Sequence, residues 1–370
     1  MLEYNFIVVI NGFFVKLNIF KEMVSWIIKM NENFITEIEI KHFKCFDDFK
    51  ANGFKRVNLI GGKNNVGKTA FMEACYINLN GDEDNYIKAI LQIIRQRDNF
   101  FVRNHSASFY QLFKMTFFYQ TTLSKQYPKN LTHTINSNLN QTHFIFKEKL
   151  ASIRIGYTIN DRDFDENIEV NHFKEMIWND NDVPFLNINN PIKLIRTIGL
   201  PNDAIVEHYS ALQRIEKESF LDKELNKFDD NIIHFKIINN SPELNTKSSG
   251  YISLSQFGEG IKHLINIIIS IYTSKNGCLF IDEIENGIHY TQLDRLWNII
   301  LTLSEALNCQ IFATTHSKDC IDAYYRAYKK LAEKEIAYVI LTRLKSGKIH
   351  AGLYDYELLE NGIEQDHEVR

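Results

Sequence analysis

Between positions 57 and 80 the chain passes from a short apolar run, VNLI, through a glycine-rich turn into TAFMEACYINL. The first run suits a buried strand and the second a helix, with Asn80 and Gly81 as residues that tolerate the left-handed conformation at a helix end. Upstream, ITEIEIKHFKCFDDFK alternates apolar and polar positions, the period of a half-buried strand. Together with VNLI it predicts the opening sheet of a nucleotide-binding unit. Residues 82–100 carry Ile87, Ile90, Leu91 and Ile94 at helical spacing.

From about 101 the pattern changes to strand-like segments, SFYQLFKMTFFYQ and HFIFKEKLASIRIGYTI, separated by Asn, Ser and Thr-rich connections. Residues 101–204 are therefore expected to form an inserted α+β subdomain. Beyond it the pattern predicts a strand (AIVEHYS), a helix (ALQRIEKESFLDKELNKF) and a strand (IIHFKII). A long apolar helix begins directly after YISLSQFGEG, and CLFI reads as a strand. The helix TQLDRLWNIILTLSEAL, the strand QIFATTHS and a closing pair of strands around a Ser-Gly turn follow. No heptads, repeats or low-complexity blocks occur, so no long coiled coil is expected.

With 370 residues the chain is long enough for two or three structural units. Its net charge of −4 means that nucleic-acid binding would need a local basic patch. One such window exists: residues 101–160 hold seven Lys or Arg against one acid, Glu148, and the next twenty-five residues hold eight acids against two bases. A basic window bearing Phe and Tyr can track a phosphate backbone, and equally it can be the solvated face of an antiparallel sheet. Five scattered cysteines with no C-x-x-C pair point to buried thiols in a reduced, cytoplasmic protein and against a cysteine-built zinc site. The apolar stretch FIVVINGFFVKLNIF is interrupted by Asn11, Lys16 and Asn18, too early for a membrane span, and lacks the basic start of a signal peptide. Residues 1–33 are expected to be an N-terminal extension, of which 1–29 would lie upstream of a natural start at Met30, and residues 355–370 an acidic tail.

The chemistry-bearing motifs lie in the rest of the chain. Gly62 to Thr69, with Lys63, Asn64, Asn65, Val66, Gly67 and Lys68 between them, has the spacing G-x-x-x-x-G-K-T, and Ala70 follows inside the helix. Glycines at those places let successive backbone N–H groups converge on phosphate oxygens at a helix N-terminus. Lys68 would reach the β and γ phosphates of ATP and Thr69 would hold Mg²⁺. Lys44 is a candidate for touching the nucleotide. Ser255, Gly258, Glu259 and Gly260 sit at a helix start, an anion-binding pattern. CLFI ends in Asp282, suited to Mg²⁺, and Glu283, suited to orienting the attacking water. His316 lies at the carboxyl end of QIFATT, where ligands sit in open α/β sheets.

The set GKNNVGKT, LSQFGEG, LFIDEIENGIH and ATTHS, in that order, resembles the ABC-type ATPases of the SMC, RecF and OLD group. The double Asn in the P-loop, the ENG-H after Asp282 and the T-H-S strand look most like the small prokaryotic OLD-like AAA ATPases, including those of anti-phage systems such as Septu and PARIS. The resemblance covers residues 34–80 and 205–354. It implies an α/β P-loop NTPase, an ABC-type ATPase head with a mixed sheet, whose lobes would be 34–100, carrying the P-loop, and 205–354. By resemblance, Asn286 and Gly287 form the D-loop, His316 is the switch histidine, and Ser255, Gly258 and Gly260 close on the γ-phosphate of a partner protomer, so that hydrolysis needs a homodimer. LSQFGEG departs from the usual signature, and Gln96, Gln111 and Gln120 all remain open for the Q-loop.

OLD-family proteins continue into a TOPRIM nuclease domain, so the expected partner is a separate TOPRIM-like nuclease or other effector in a two-component, anti-phage system. The alternative is a RecF-like DNA repair or replication clamp with its own DNA contact. A transporter subunit at a membrane is disfavoured by the signature and by the ENG sequence of the D-loop.

Overall fold

The structure, a computed structural model, describes residues 6–10, 13–17, 34–82, 85, 86, 88–90, 92, 93, 133–149, 152–169, 190–197, 199, 200, 202–331 and 335–354. The strands are β1 (Phe6–Ile10), β2 (Phe13–Leu17), β3 (Glu37–Phe43), β4 (Phe46–Asn52), β5 (Val57–Gly61), β6 (His133–Ser137), β7 (Gln141–Lys149), β8 (Ser152–Ile159) and β9 (Arg162–Glu169). They continue as β10 (Ile192–Ile195), β11 (Ile232–Ile238), β12 (Ser241–Thr246), β13 (Gly250–Ser253), β14 (Cys278–Ile281), β15 (Gln310–Thr314), β16 (Ile336–Arg343) and β17 (Ile349–Tyr354). The helices are α1 (Lys68–Leu79), α2 (Asn202–Arg214), α3 (Glu218–Phe228), α4 (Glu259–Thr273), α5 (Leu293–Leu307) and α6 (Lys318–Leu331). Strands β1 and β2 form an antiparallel hairpin of their own in a unit separate from residues 35–370.

The central sheet has the order β10-β14-β15-β5-β16-β17, parallel throughout except for the antiparallel pairing of β17 on β16. It is the mixed sheet of an α/β fold. Strands β5, β14 and β15 are buried at every position, which explains why they read as mostly apolar runs: both faces are covered. Leu279 and Ile281 face a core built with Trp297, Leu264 and Tyr324 from the helices. Cys278 and Phe280, the alternate positions, face a second core with Phe71, Met72 and Phe312. That second core is closed by the antiparallel sheet β4-β3-β6-β7-β8-β9, and β11, β12 and β13 make a third, smaller sheet.

Several expectations change here. ITEIEIKHFKCFDDFK is two strands, β3 and β4, joined at Lys44 and Cys45, with His42 and Lys44 at φ 54° and 52°. These strands belong to the antiparallel sheet and β5 to the central one, so they do not form one opening sheet. Strands β6 to β9, inside the expected insert, add directly to β3. Strand β10, also inside it, is an edge of the central sheet beside β14. AIVEHYS is helical, within α2, because Ile205, Tyr209 and Leu212 recur at helical spacing and are all buried. The predicted single helix after it is broken, and α3 starts at Glu218.

At the end of α1, Asn80 is not left-handed (φ −83°). Its side chain instead donates to the Tyr76 carbonyl at 2.8 Å. The segment SFYQLFKMTFFYQ, Ile87, Leu91 and Ile94, most of the basic window and the acidic tail lie outside the described residues. All five cysteines are free thiols, and Cys75, Cys278, Cys309 and Cys320 are buried, which pushes each thiol pKa upward by desolvation.

Candidate functional site

Parallel register brings the chemistry together. Ile195 pairs with Ile281, Ile281 with Ala313, and Thr314 with Ile60, so the residues just beyond each strand emerge along one carboxyl edge. There β5 enters the loop 62–67, in which Gly62 and Gly67 adopt φ 133° and 100° and Asn65 φ 62°. A side chain at Gly67 would also meet the Cys45 sulfur at 2.7 Å. Helix α1 begins at once, with the Phe71 N–H donating to the Gly67 carbonyl at 2.8 Å. The loop is braced on its outer side by Arg343, which donates to the Asn65 carbonyl at 3.1 Å.

Lys68 folds back over this loop, its ammonium donating to the carbonyls of Gly62 (2.6 Å) and Lys63 (3.1 Å). Burial lowers its pKa, opposed by the negative charges of Asp282, Glu283 and Glu285. Thr69 turns toward β14, and its hydroxyl donates to both carboxylate oxygens of Asp282 at 3.1 and 3.2 Å. Thr314 donates to the same carboxylate at 2.8 Å and accepts from the Glu283 N–H at 2.8 Å. Thr69 and Asp282 are both hard oxygen donors and already adjacent, a donor set that fits Mg²⁺.

Glu283 itself sits at φ 52°, a strained conformation for a residue with a side chain. Bonds from the Ile284 N–H to the Thr314 carbonyl (3.0 Å) and from the Asn286 N–H to the Glu283 carbonyl (2.8 Å) hold it there. The result is a carboxylate 40 % exposed at the sheet edge, 3.8 Å from His316 Nδ1. Asn286 is anchored by its own side chain, which donates to the Thr197 carbonyl at 2.8 Å.

Ser255, Gly258 and Glu259 are exposed at the start of α4. Ser255 is not the helix cap; it lies in a short 3-10 turn and shares a hydrogen bond with Ser253 (2.8 Å), while Gly258 takes the N-cap position. Among the described residues no hydrogen bond joins Ser255, Gly258 or Gly260 to residues 62–70. Within one protomer Ser255, Glu259 and Asn286 line one cavity of about 130 Å³.

Lys44, a candidate for touching the nucleotide, pairs with a carboxylate of the protein. It is buried against Glu73 of α1, which also takes Arg196 from the end of β10. Glu73 and Arg196 escaped the sequence reading because neither belongs to a spacing pattern. Gln96, Gln111 and Gln120 lie outside the described residues.

A family model described as "AAA domain, putative AbiEii toxin, Type IV TA system" matches residues 57–321. The chain belongs to this AAA domain family. It is an ATPase of the P-loop class. A curated "ATP/GTP phosphatase" of Helicobacter pylori is 28% identical over 329 residues, covering 78% of this chain and 86% of that protein.

Among solved structures, an SMC head domain from Thermotoga maritima aligns over 87% of this chain and 99% of its own, with 13% identity and a TM-score of 0.45. An SMC head bound to the C-terminal winged-helix domain of ScpA aligns over 89% and 99%, with 13% identity and a TM-score of 0.48. Among the described residues no helix is long and apolar enough to cross a membrane, and no group of three or more His, Cys, Asp or Glu side chains could hold a metal ion.

Proposed function

We propose that the chain is an ABC-type head that hydrolyses ATP when two copies close on one another, and that this cycle switches a separate effector. The observation that supports it best is the linked set Thr69, Asp282, Thr314 and Glu283, in which two hydroxyls fix one carboxylate and leave its neighbour free. Gly62 to Ala70 would bind the phosphates through backbone N–H groups, and Lys68 would exchange its two carbonyl partners for phosphate oxygens. Thr69 and Asp282 would hold Mg²⁺, which supplies charge neutralisation on the phosphates when bound. Glu283 orients a water for attack on the γ-phosphorus and accepts its proton as the bond to ADP breaks. His316 contacts the γ-phosphate or that water.

In this reading Ser255, Gly258, Glu259 and Gly260 serve the opposite protomer, in keeping with the exposure of the first three and with the lack, among the described residues, of a hydrogen bond from Ser255, Gly258 or Gly260 to their own P-loop. The resemblance of the four motifs to OLD-like anti-phage ATPases supports the effector, a TOPRIM-like nuclease or another protein. The test uses purified Glu283→Gln protein. ATP affinity should stay within about threefold, turnover should fall by about a hundredfold or more, and ATP with Mg²⁺ should drive dimers in light scattering. Normal hydrolysis by this variant would remove the catalytic assignment. Co-purification with the product of the adjacent gene supports the two-component role. A protein that stays alone, and whose ATP-bound form binds DNA with a steep salt dependence, replaces that role with a clamp.

A further inference from the structure

Three carboxylates stand within four positions after β14, and the third, Glu285, has no part in the chemistry described so far. Its side chain is only 12 % exposed, and its Oε1 accepts the His316 backbone N–H at 3.1 Å and lies 3.4 Å from His316 Nδ1. Its other oxygen, Oε2, is buried without a partner among the described residues. A carboxylate kept so far from water with half its acceptor capacity unused costs stability, and it is retained where the charge has a use. His316 is about half exposed and stands between two carboxylates, Glu285 at 3.4 Å and Glu283 at 3.8 Å. The side of the imidazole that faces both is Nδ1.

We infer that Glu285 is the positioning residue of the ATPase site: it captures His316 by backbone and ring together, fixes the Nδ1–H tautomer, leaves Nε2 for the nucleotide, and keeps the histidine off Glu283. The inference rests on the ATPase reading above. The physical basis is competition. Imidazole Nδ1–H has one hydrogen to give, and a carboxylate already bound to the same residue's backbone N–H takes it with less loss of freedom than Glu283 would. Glu283 then keeps its oxygens for water. Glu285 also belongs to the turn that carries the D-loop, its carbonyl accepting the Ile288 N–H at 3.0 Å, so a shift of Asn286 and Gly287 would be felt at His316. It touches neither the nucleotide phosphates nor the water in this scheme, and acts through His316.

The experiment measures steady-state ATP hydrolysis by the full chain as wild type, Glu285→Ala, His316→Ala and the double variant, with Glu285→Gln as a form that keeps an acceptor and the shape. Glu285→Ala should lower kcat by about tenfold or more with KM for ATP within about threefold, because orientation is lost and binding is not. The double variant should be no slower than His316→Ala alone, since both changes remove one unit. Glu285→Gln should fall between wild type and Glu285→Ala, and it carries the test if Glu285→Ala does not fold. Losses that multiply in the double variant, or a Glu285→Ala kcat equal to wild type while His316→Ala is impaired, would overturn the inference. A His316→Ala enzyme as fast as wild type would instead overturn the role given to His316 in the ATPase reading, and the two failures are thereby told apart.

Discussion

Gly260, at the start of α4, and Gly287, in the turn after β14, pack backbone to backbone: a Cβ on Gly260 would lie 2.3 Å from the Gly287 carbonyl oxygen. Two motifs read separately from the sequence thus form one rigid contact inside a protomer. Gly260→Ala must push the Gly287 turn away and should destabilise the protein by about 1–3 kcal/mol, measured by urea unfolding. Gly258, two positions earlier, has nothing within 4 Å of its would-be Cβ, and Gly258→Ala should stay within about 0.5 kcal/mol of wild type.

Glu73 is fully buried between Lys44 and Arg196, two side chains that are themselves nearly buried. Removing the carboxylate takes away the counter-charge that these two buried cations share. Glu73→Ala should cost roughly 3–5 kcal/mol, readable as a lowered urea midpoint with an unchanged slope. Lys44→Met should cost less, because Arg196 still satisfies the carboxylate.

His263 and His208 are buried, each with a ring nitrogen lacking a partner. Desolvation lowers their pKa values from 6.5 to about 4 and about 3, helped at His208 by the charge of Lys193 and opposed at His263 by a hydrogen bond to the Ile284 backbone. The unfolded chain therefore takes up protons below pH 6.5 that the folded chain refuses. The stability from each neutral imidazole is present above 6.5 and is lost as the pH falls toward the folded values. Between pH 7 and pH 5 each should remove about 2 kcal/mol from the unfolding free energy. Urea unfolding at the two pH values should show the drop, and His263→Gln should flatten it.

Lys68 gives its hydrogens to two loop carbonyls that any other donor could satisfy, so its charge is available to an anion. Lys68→Ala should weaken ATP binding about tenfold to a hundredfold, the scale of a charge-assisted hydrogen bond. Isothermal titration calorimetry with the nucleotide is the direct measurement, and unchanged affinity would show that the phosphates do not lie at this loop.

Sequence by itself determined the elements whose local chemistry is decisive. A loop needing φ 133° and 100° at Gly62 and Gly67 can be written in few ways, and strands β5, β14 and β15, buried on both faces, must be mostly apolar. Gly62 to Thr69, Asp282, Glu283 and His316 could be singled out as candidates for that reason, and they do lie along one edge of the sheet. Only the tertiary structure decided what depends on partners far along the chain. Lys44 reads as a candidate for touching the nucleotide, yet it pairs with Glu73; AIVEHYS has strand-like composition, yet its burial at helical spacing against α4 makes it a helix. Glu285 was one acid among three until the return of β15 placed His316 against it. Such roles arise from contacts 29 positions apart or more, and no periodicity within a segment records them.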